Sequence, residues 1–180
     1  MVSTIVVLGV VAVLVTGHQL FWRVYLGSEL FRNGNRLFYR DGRPNRAGRI
    51  YNGIWSYLFG RGSGPEYVVS LETTGHRSGR RHAIPVVVTE HEGHQYIVSM
   101  LGERSPWVRN VRESGGHAVI RRGSRRNVRL VDVPVGRRAP IIKAFLRRAP
   151  GARPHIHIAL DAPIEDFERL APLYPVFFIA

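Results

Sequence analysis

The sequence predicts a mainly β protein with helices (α+β), in which one transmembrane helix precedes a small β-barrel domain. Two observations predict this class. An uncharged N-terminal segment is long enough to cross a bilayer, and short β-type segments with hairpin spacing fill most of the chain after residue 64. The 180 residues are enough for one domain and an anchor, but too few for two ordinary domains.

The chain is strongly basic, with 26 lysine and arginine residues against 13 aspartate and glutamate residues and a formal net charge of +13. Every basic residue except Lys143 is arginine. An excess of this size predicts an anionic partner, which can be a phosphorylated ligand, lipid headgroups or nucleic acid. Cysteine is absent, which excludes disulfides, thiolate metal sites and cysteine nucleophiles.

Residues 2–22 carry no charged side chain, and at about 1.5 Å per residue they span about 30 Å, the thickness of a bilayer core. No basic residue precedes the apolar run and no small-residue cleavage site follows it, which disfavours a signal peptide. A buried core helix is the other alternative. Arginines after Trp22 place the C-terminal domain on the cytoplasmic side by the positive-inside rule. We therefore predict a single-pass cell-membrane anchor at 1–23, a juxtamembrane linker and helix at 24–64, and a barrel domain at 65–180.

Within the linker, apolar residues at 50, 54, 57 and 58 recur at helical spacing, and a glycine-rich stop follows at 60–65. Beyond it, β-type runs predict strands at 67–71, 83–89, 95–100, 118–121, 128–133 and 176–179. Turns at 91–94 and 123–124 join neighbouring strands into hairpins. Helices are predicted at 139–148 and 164–170. Short strands with this spacing and a few helices indicate a small barrel with helical additions.

The segment 73–82 joins two predicted strands and concentrates groups that bind anions. Gly75 and Gly79 permit tight turns that direct backbone N–H groups into a common space. Guanidinium, imidazole and hydroxyl donors surround these glycines: Arg77, Arg80, Arg81, His76, His82, Thr73, Thr74 and Ser78. Such a set predicts a site for phosphate or carboxylate groups, and a solvated basic turn is the alternative.

A second segment predicts a helix that begins at Pro106, with Ser105 as its capping residue. Trp107 and Asn110 share one face of this helix because they are three residues apart. An indole beside an amide can line a flat heteroaromatic ligand, and the helix N-terminus favours an anion. Core packing of Trp107 is the alternative interpretation.

Taken in order, these motifs resemble those of the deazaflavin (F420)-dependent nitroreductases and quinone reductases. The resemblance rests on the run Thr74-Gly75-His76-Arg77-Ser78-Gly79, on Pro85, on Gly102, on Trp107-x-x-Asn110 and on the closing Tyr174-Pro175-Val176-Phe177-Phe178-Ile179. It covers roughly residues 65–180. It implies a split β-barrel, of the flavin-reductase and pyridoxamine-phosphate-oxidase type, that binds coenzyme F420.

The resemblance also implies which residues contact the coenzyme. The residues that would hold its anionic tail are His76, Arg77, Ser78, Gly79, Arg80 and Arg81. Those that would lie along its ring system or close the site are Pro85, Val86, Val87, Met100, Leu101, Gly102, Trp107 and Asn110. The implied activity is hydride transfer from reduced F420 to a quinone, a nitroaromatic or a similar acceptor, and Tyr174 is a candidate proton donor. The predicted anchor favours a lipid-soluble quinone.

Three other functions remain open from the sequence. An FMN-dependent reductase on the same barrel would need fewer cations than this loop offers. A non-enzymatic protein could bind the same coenzyme without turnover. A nucleic-acid-binding protein is disfavoured, because aromatic residues are not interleaved with the arginines as stacking platforms. No metal is predicted, since His155 and His157 have no evident further ligand, and the oligomeric state is left open.

Overall fold

The computed structural model of the chain describes residues 39–40 and 43–180, where an antiparallel barrel of six strands is accompanied by four α-helices. A short ladder of β1 (Tyr39–Arg40) and β2 (Arg43–Pro44) precedes the first helix. The helices are α1 (Arg46–Gly60), α2 (Pro106–Glu113), α3 (Arg138–Arg148) and α4 (Ile164–Leu170). The barrel strands are β3 (Val68–Thr74), β4 (Arg81–His91), β5 (His94–Val98), β6 (His117–Arg122), β7 (Ser124–Asp132) and β8 (Val176–Ile179).

The barrel closes in the order β3-β4-β5-β8-β7-β6, with β6 pairing back onto β3. The closure is partial along β4, which pairs with β3 over residues 81–87 and with β5 only over residues 88–91, so its first half has a strand partner on one side. The predicted hairpin turn between β4 and β5 is confirmed at Glu92 and Gly93, whose φ angles of 50° and 74° give the left-handed conformation that tight hairpins require. All six predicted strands are confirmed, with ends that differ by a few residues.

Two large apolar clusters, with a small third one at Phe59 and Val68, hold the fold together. The first fills the barrel, where Leu71 and Ile97 are fully buried and α2 contributes Trp107 and Val108. The second packs α3 and α4 against the outside of β5 and β8 around Phe167. The barrel is therefore covered by helices on one side, and α2 is fixed by its contribution to the barrel interior.

Helix α1, predicted within the juxtamembrane linker and helix at 24–64, packs against β3 and β4. Three of the four apolar residues that predicted this helix do not face the barrel: Ile50, Ile54 and Tyr57 are 66%, 55% and 53% exposed, whereas Leu58 is partly buried. Its buried positions are mainly small and polar, and they are Gly48, Asn52, Ser56, Phe59 and Gly60. Small side chains let the helix approach the sheet closely, and the Ser56 hydroxyl lies 3.2 Å from that of Ser70 on β3.

The predicted anchor at 1–23 lies outside the described residues. Among residues 39–40 and 43–180, no helix combines the length and the apolar character needed to cross a membrane.

An ion-pair network ties the turn before α2 to the barrel. Arg112 contacts Glu103 at 2.5 Å and Asp132 at 2.7 Å, and Asp132 also accepts a hydrogen bond from the buried Arg138 at 3.0 Å. The hydrogen bond from Arg112 lowers the pKa of Glu103 below its usual range. A depressed carboxyl pKa stabilises the folded state above the unfolded-state pKa, and this contribution is lost as the pH falls through the folded-state value.

We therefore expect Glu103→Gln to lower the free energy of unfolding at neutral pH, and to lower it less as the pH falls through the lowered pKa of Glu103. The loss is expected to be below about 1 kcal/mol because the pair is largely exposed. Urea denaturation over a series of pH values from neutral to acidic measures it. Glu113→Gln is the control, since Glu113 makes no ion pair with any described residue. An equal loss for both variants at neutral pH would contradict the prediction.

Candidate active site

A cavity of about 600 Å³ lies where α1, β4, the β3–β4 loop, the start of α2 and the end of α3 meet. This volume is in the range that holds cofactors and drug-sized ligands. Ten of the fourteen predicted coenzyme-binding residues line it: His76, Arg77, Ser78, Pro85, Val86, Val87, Met100, Leu101, Trp107 and Asn110. The fold thus brings together motifs that are separated by more than thirty positions in the sequence.

The β3–β4 loop is shaped by its own backbone. The Gly79 N–H donates to the Gly75 carbonyl at 2.8 Å, and the Gly75 N–H donates to the Arg80 carbonyl at 2.8 Å. Gly79 has a φ of 62°, and a Cβ at Gly75 would lie 2.6 Å from the Ser78 hydroxyl oxygen. Gly79 therefore takes the left-handed conformation that favours glycine, and a Cβ at Gly75 would have to displace the Ser78 and His82 side chains.

Asn110 on α2 holds this loop in place. Its side-chain oxygen accepts hydrogen bonds from the His76 backbone N–H at 3.2 Å and from His76 Nδ1 at 3.1 Å. Its amide nitrogen donates to the Thr73 hydroxyl at 3.2 Å. Because Asn110 is 6% exposed, these bonds satisfy a buried amide and fix the loop relative to α2.

Three arginines of the loop are available to an anion. Arg77, Arg80 and Arg81 are exposed, and their guanidinium groups form no hydrogen bond or ion pair with residues 43–180. Arg77 lines the cavity, whereas Gly79, Arg80 and Arg81 lie outside its lining. Unpaired guanidinium groups beside a cavity can bind phosphate or carboxylate in a bidentate manner.

The floor of the cavity is the first half of β4. Successive side chains of a strand point to opposite faces, so Pro85 and Val87 face away from the barrel while Val86 packs against the barrel core. Proline is tolerated here because this half of β4 has a strand partner, β3, on one side only. The apolar floor suits the face of a planar ring.

Met100 and Leu101 continue the wall, but Gly102 does not line the cavity. Gly102 is buried with a φ of 71°, and a Cβ there would lie 2.8 Å from the Leu173 carbonyl oxygen. Its backbone carbonyl accepts a hydrogen bond from the Ser99 hydroxyl at 2.9 Å. These contacts give Gly102 a structural role behind the wall.

The predicted capping hydroxyl at Ser105 is wrong. Helix α2 begins at Pro106 as expected, but the Ser105 side chain makes no capping hydrogen bond. Its hydroxyl lies 2.9 Å from that of Ser99, which is 1% exposed. Pairing two buried hydroxyls replaces the cap, because an unpaired buried hydroxyl is costly.

Tyr174 lies outside the cavity lining. Its hydroxyl donates to the His155 backbone carbonyl at 3.1 Å, and burial raises its pKa above the usual range. A phenol that is bonded to the backbone and held in its neutral form anchors the C-terminal segment. Its position gives no support to a role in proton transfer.

Sequence analysis did not identify a second group of lining residues, which come from distant segments. They are Arg49, Tyr51, Asn52, Trp55, Phe59, Tyr67, Phe145, Arg148 and residues 149–152. Aromatic residues at 51, 55 and 59 were a signal that could have been found, because spacing of four places them on one helical face. Their rings lie 5.8 Å and 5.4 Å apart along α1.

We expect Asn110→Ala to lower the free energy of unfolding by about 1–3 kcal/mol and to weaken ligand binding in the cavity. The loss of stability is expected because the backbone N–H of His76 and the hydroxyl of Thr73 lose their hydrogen bonds to Asn110. The β3–β4 loop is then held less firmly against α2. Thermal denaturation and ligand titration measure the two effects. Arg109→Ala on the exposed side of the same helix is the control, and an equal effect there would show that Asn110 does not hold the loop.

Comparison with known proteins gives one family. A family model described as F420H(2)-dependent quinone reductase matches residues 57–153, more than half of the chain. This match contains every predicted coenzyme-binding residue from His76 to Asn110. Comparison with curated proteins finds no match.

Solved structures resemble the chain at low identity. An F420-H2 dependent reductase (FDR-A) is 17% identical with a TM-score of 0.43, over 64% of this chain and 95% of that one. A nimc/nima family protein from Clostridium acetobutylicum is 15% identical with a TM-score of 0.43, over 82% and 85%. A heme binding protein from Mycobacterium smegmatis is 17% identical with a TM-score of 0.42, over 76% and 51%.

Proposed function

Because the chain belongs to the F420H(2)-dependent quinone reductase family, we propose that it reduces a lipid-soluble quinone at the cytoplasmic face of a membrane. The chain is an F420-dependent oxidoreductase. The acceptor and the membrane location are the proposed parts. One observation supports the acceptor: a single cavity joins an arginine-bearing loop to walls of aromatic and aliphatic side chains.

The residues present fit coenzyme F420. Arg77 and Ser78 at the cavity, with Arg80 and Arg81 beside it, would bind the phosphate and oligoglutamate tail. The apolar floor at Pro85 and the walls at 100–101 and 107 would hold the ring system. When bound, the coenzyme supplies a hydride, and the protein's part is to orient the partners and exclude water.

The acceptor is proposed to bind between α1 and the end of α3. Trp55 and Phe59 stack with ring centroids 5.4 Å apart, and they offer a flat aromatic surface inside the cavity. The cavity lining also contains Arg148, whose guanidinium lies 4.7 Å from the ring centroid of Tyr67. A quinone that accepts a hydride becomes anionic at oxygen before a proton from solvent completes the hydroquinone. Arg148 and Arg49 would stabilise that negative charge.

The membrane location rests on the sequence before the described residues. The uncharged segment at 2–22 would anchor the chain, and the arginines after it would keep the C-terminal domain in the cytoplasm. An anchored reductase can take hydride from a soluble coenzyme and meet an acceptor that is dissolved in lipid. A nitroaromatic compound is the second candidate acceptor, since it is also flat and gains negative charge on reduction.

The test uses the full chain in detergent micelles with reduced F420 and either menaquinone analogues or nitroaromatic compounds. Oxidation of the coenzyme, followed by its fluorescence, is expected with the quinones. No turnover with any quinone analogue would overturn the proposed acceptor, and turnover with nitro compounds alone would replace it. Titration with FMN is the control for the cofactor, and it is expected to bind more weakly than F420.

A further inference from the structure

One face of α1 is apolar and uncovered. Ile50, Ile54 and Tyr57 are spaced four and three residues apart, which lines them up on one side of the helix. They are half to two-thirds exposed, whereas Asn52 and Ser56 on the opposite side are buried against the barrel. The three residues, called the α1 outer face below, include half of the large exposed apolar side chains found in residues 44–180.

Positive charge surrounds the α1 outer face. Exposed Arg46 and Arg49 flank it at the helix start, and the Arg61 guanidinium lies 4.8 Å from the ring centroid of Tyr57 at its end. No acidic residue occurs from position 42 to position 65. The helix end also contacts the β6–β7 hairpin, where the Gly123 N–H donates to the Gly60 carbonyl at 2.8 Å.

We infer that the α1 outer face lies on a bilayer of anionic phospholipid. Aliphatic side chains with a tyrosine, flanked by arginines on a helix that carries no acidic residue, match the boundary between acyl chains and phosphate headgroups. A second copy of the chain fits this surface less well, since a symmetric contact would bring the same arginines together without a counter-charge. The contact is made by the catalytic domain itself, and it does not require the proposed anchor.

The inference has a consequence for the route of the acceptor. The other side of the same helix lines the cavity through Tyr51, Trp55 and Phe59. A helix is about 10 Å across with its side chains, so the cavity wall lies about one helix diameter from the lipid surface. A lipid-soluble acceptor would therefore reach the cavity without crossing bulk water. This consequence rests on the proposed function, whereas the lipid contact does not.

The absence of cysteine makes the lipid contact directly measurable. In the full chain, Ile54→Cys carries an environment-sensitive fluorophore, and Leu173→Cys, at a site 62% exposed and outside α1, is the matched control. Both are mixed with vesicles of phosphatidylglycerol and phosphatidylcholine that contain a lipid-borne quencher. We expect severalfold stronger quenching at position 54 than at position 173, and less in vesicles without phosphatidylglycerol.

Equal quenching at the two positions would overturn the inference. A fluorescence change at position 54 that grows with protein concentration and needs no lipid would also overturn it, because a second copy would then cover the face. A functional variant, Ile54→Asp, is expected to lower kcat/KM about tenfold for a quinone in the bilayer and to leave a water-soluble short-chain quinone unaffected. If no quinone is reduced at all, the proposed acceptor fails while the quenching result still decides the lipid contact.

Discussion

Replacing Arg77 by alanine is expected to weaken F420 binding by about tenfold to a hundredfold and to leave the free energy of unfolding unchanged. A hydrogen bond to a charged group contributes about 1.5–3 kcal/mol, and Arg77 is an exposed guanidinium of the cavity lining with no ion-pair partner among residues 43–180. The free energy of unfolding is expected to stay the same because the Arg77 guanidinium makes no hydrogen bond or ion pair with residues 43–180. Titration of coenzyme fluorescence measures the affinity, and urea denaturation measures the stability.

The salt dependence of binding adds a second measurement. Loss of one cation from the site should reduce the slope of affinity against salt concentration, since fewer ionic contacts are screened. Arg104→Ala is the charge-matched control, because Arg104 is equally exposed but lies outside the cavity lining. It changes the net charge by the same amount without touching the site. If both variants bind F420 as the natural chain does, the β3–β4 loop does not hold the coenzyme.

The sequence predicts those parts of the barrel that depend on residues close together in the chain, which are the individual strands and the hairpin turns. β-type runs and glycine turns identified the six barrel strands, though not the short β1–β2 ladder, and the helix at Ile164–Leu170 was predicted to the residue. The pairings that close the barrel, β3 with β6 and β5 with β8, join strands that are distant in sequence and carry no turn signal. Only a packed core selects those partners.

Helix α1 illustrates why the site was only half predictable. Hydrophobic periodicity assumes that the apolar face is buried, but here the buried face is Gly48, Asn52 and Ser56, and close approach to the sheet takes the place of apolar volume. Ile50, Ile54 and Tyr57, which carry the apolar periodicity, instead face outward. The aromatic wall of the cavity was not predicted, because Trp55 is neither one of these periodic residues nor one of the small buried ones. By contrast, the loop residues at 76–78 carry their chemistry within a few positions and were found.

Replacing Gly102 by alanine is expected to lower the free energy of unfolding by about 2–5 kcal/mol. A left-handed backbone costs a non-glycine residue about 1–2 kcal/mol. The new Cβ would also lie 2.8 Å from the Leu173 backbone carbonyl oxygen, and such overpacking costs a further 1–3 kcal/mol or so. The backbone cannot easily give way, because residue 173 leads directly into β8, the strand that completes the barrel.

Gly123→Ala separates the cost of the left-handed backbone from the cost of the steric clash. Gly123 has the same φ of 71°, but nothing lies within 4 Å of the added Cβ, so only the backbone cost applies there. Urea denaturation should give Gly102→Ala the larger loss by the amount of the clash, and equal losses would show that the Leu173 contact relaxes freely. The Gly102 carbonyl accepts a hydrogen bond from the Ser99 hydroxyl, and Gly102 directly follows Met100 and Leu101 of the cavity wall. A displacement of Gly102 by the clash is therefore expected to move that wall. The folded fraction of Gly102→Ala should therefore also bind F420 more weakly, whereas that of Gly123→Ala should not.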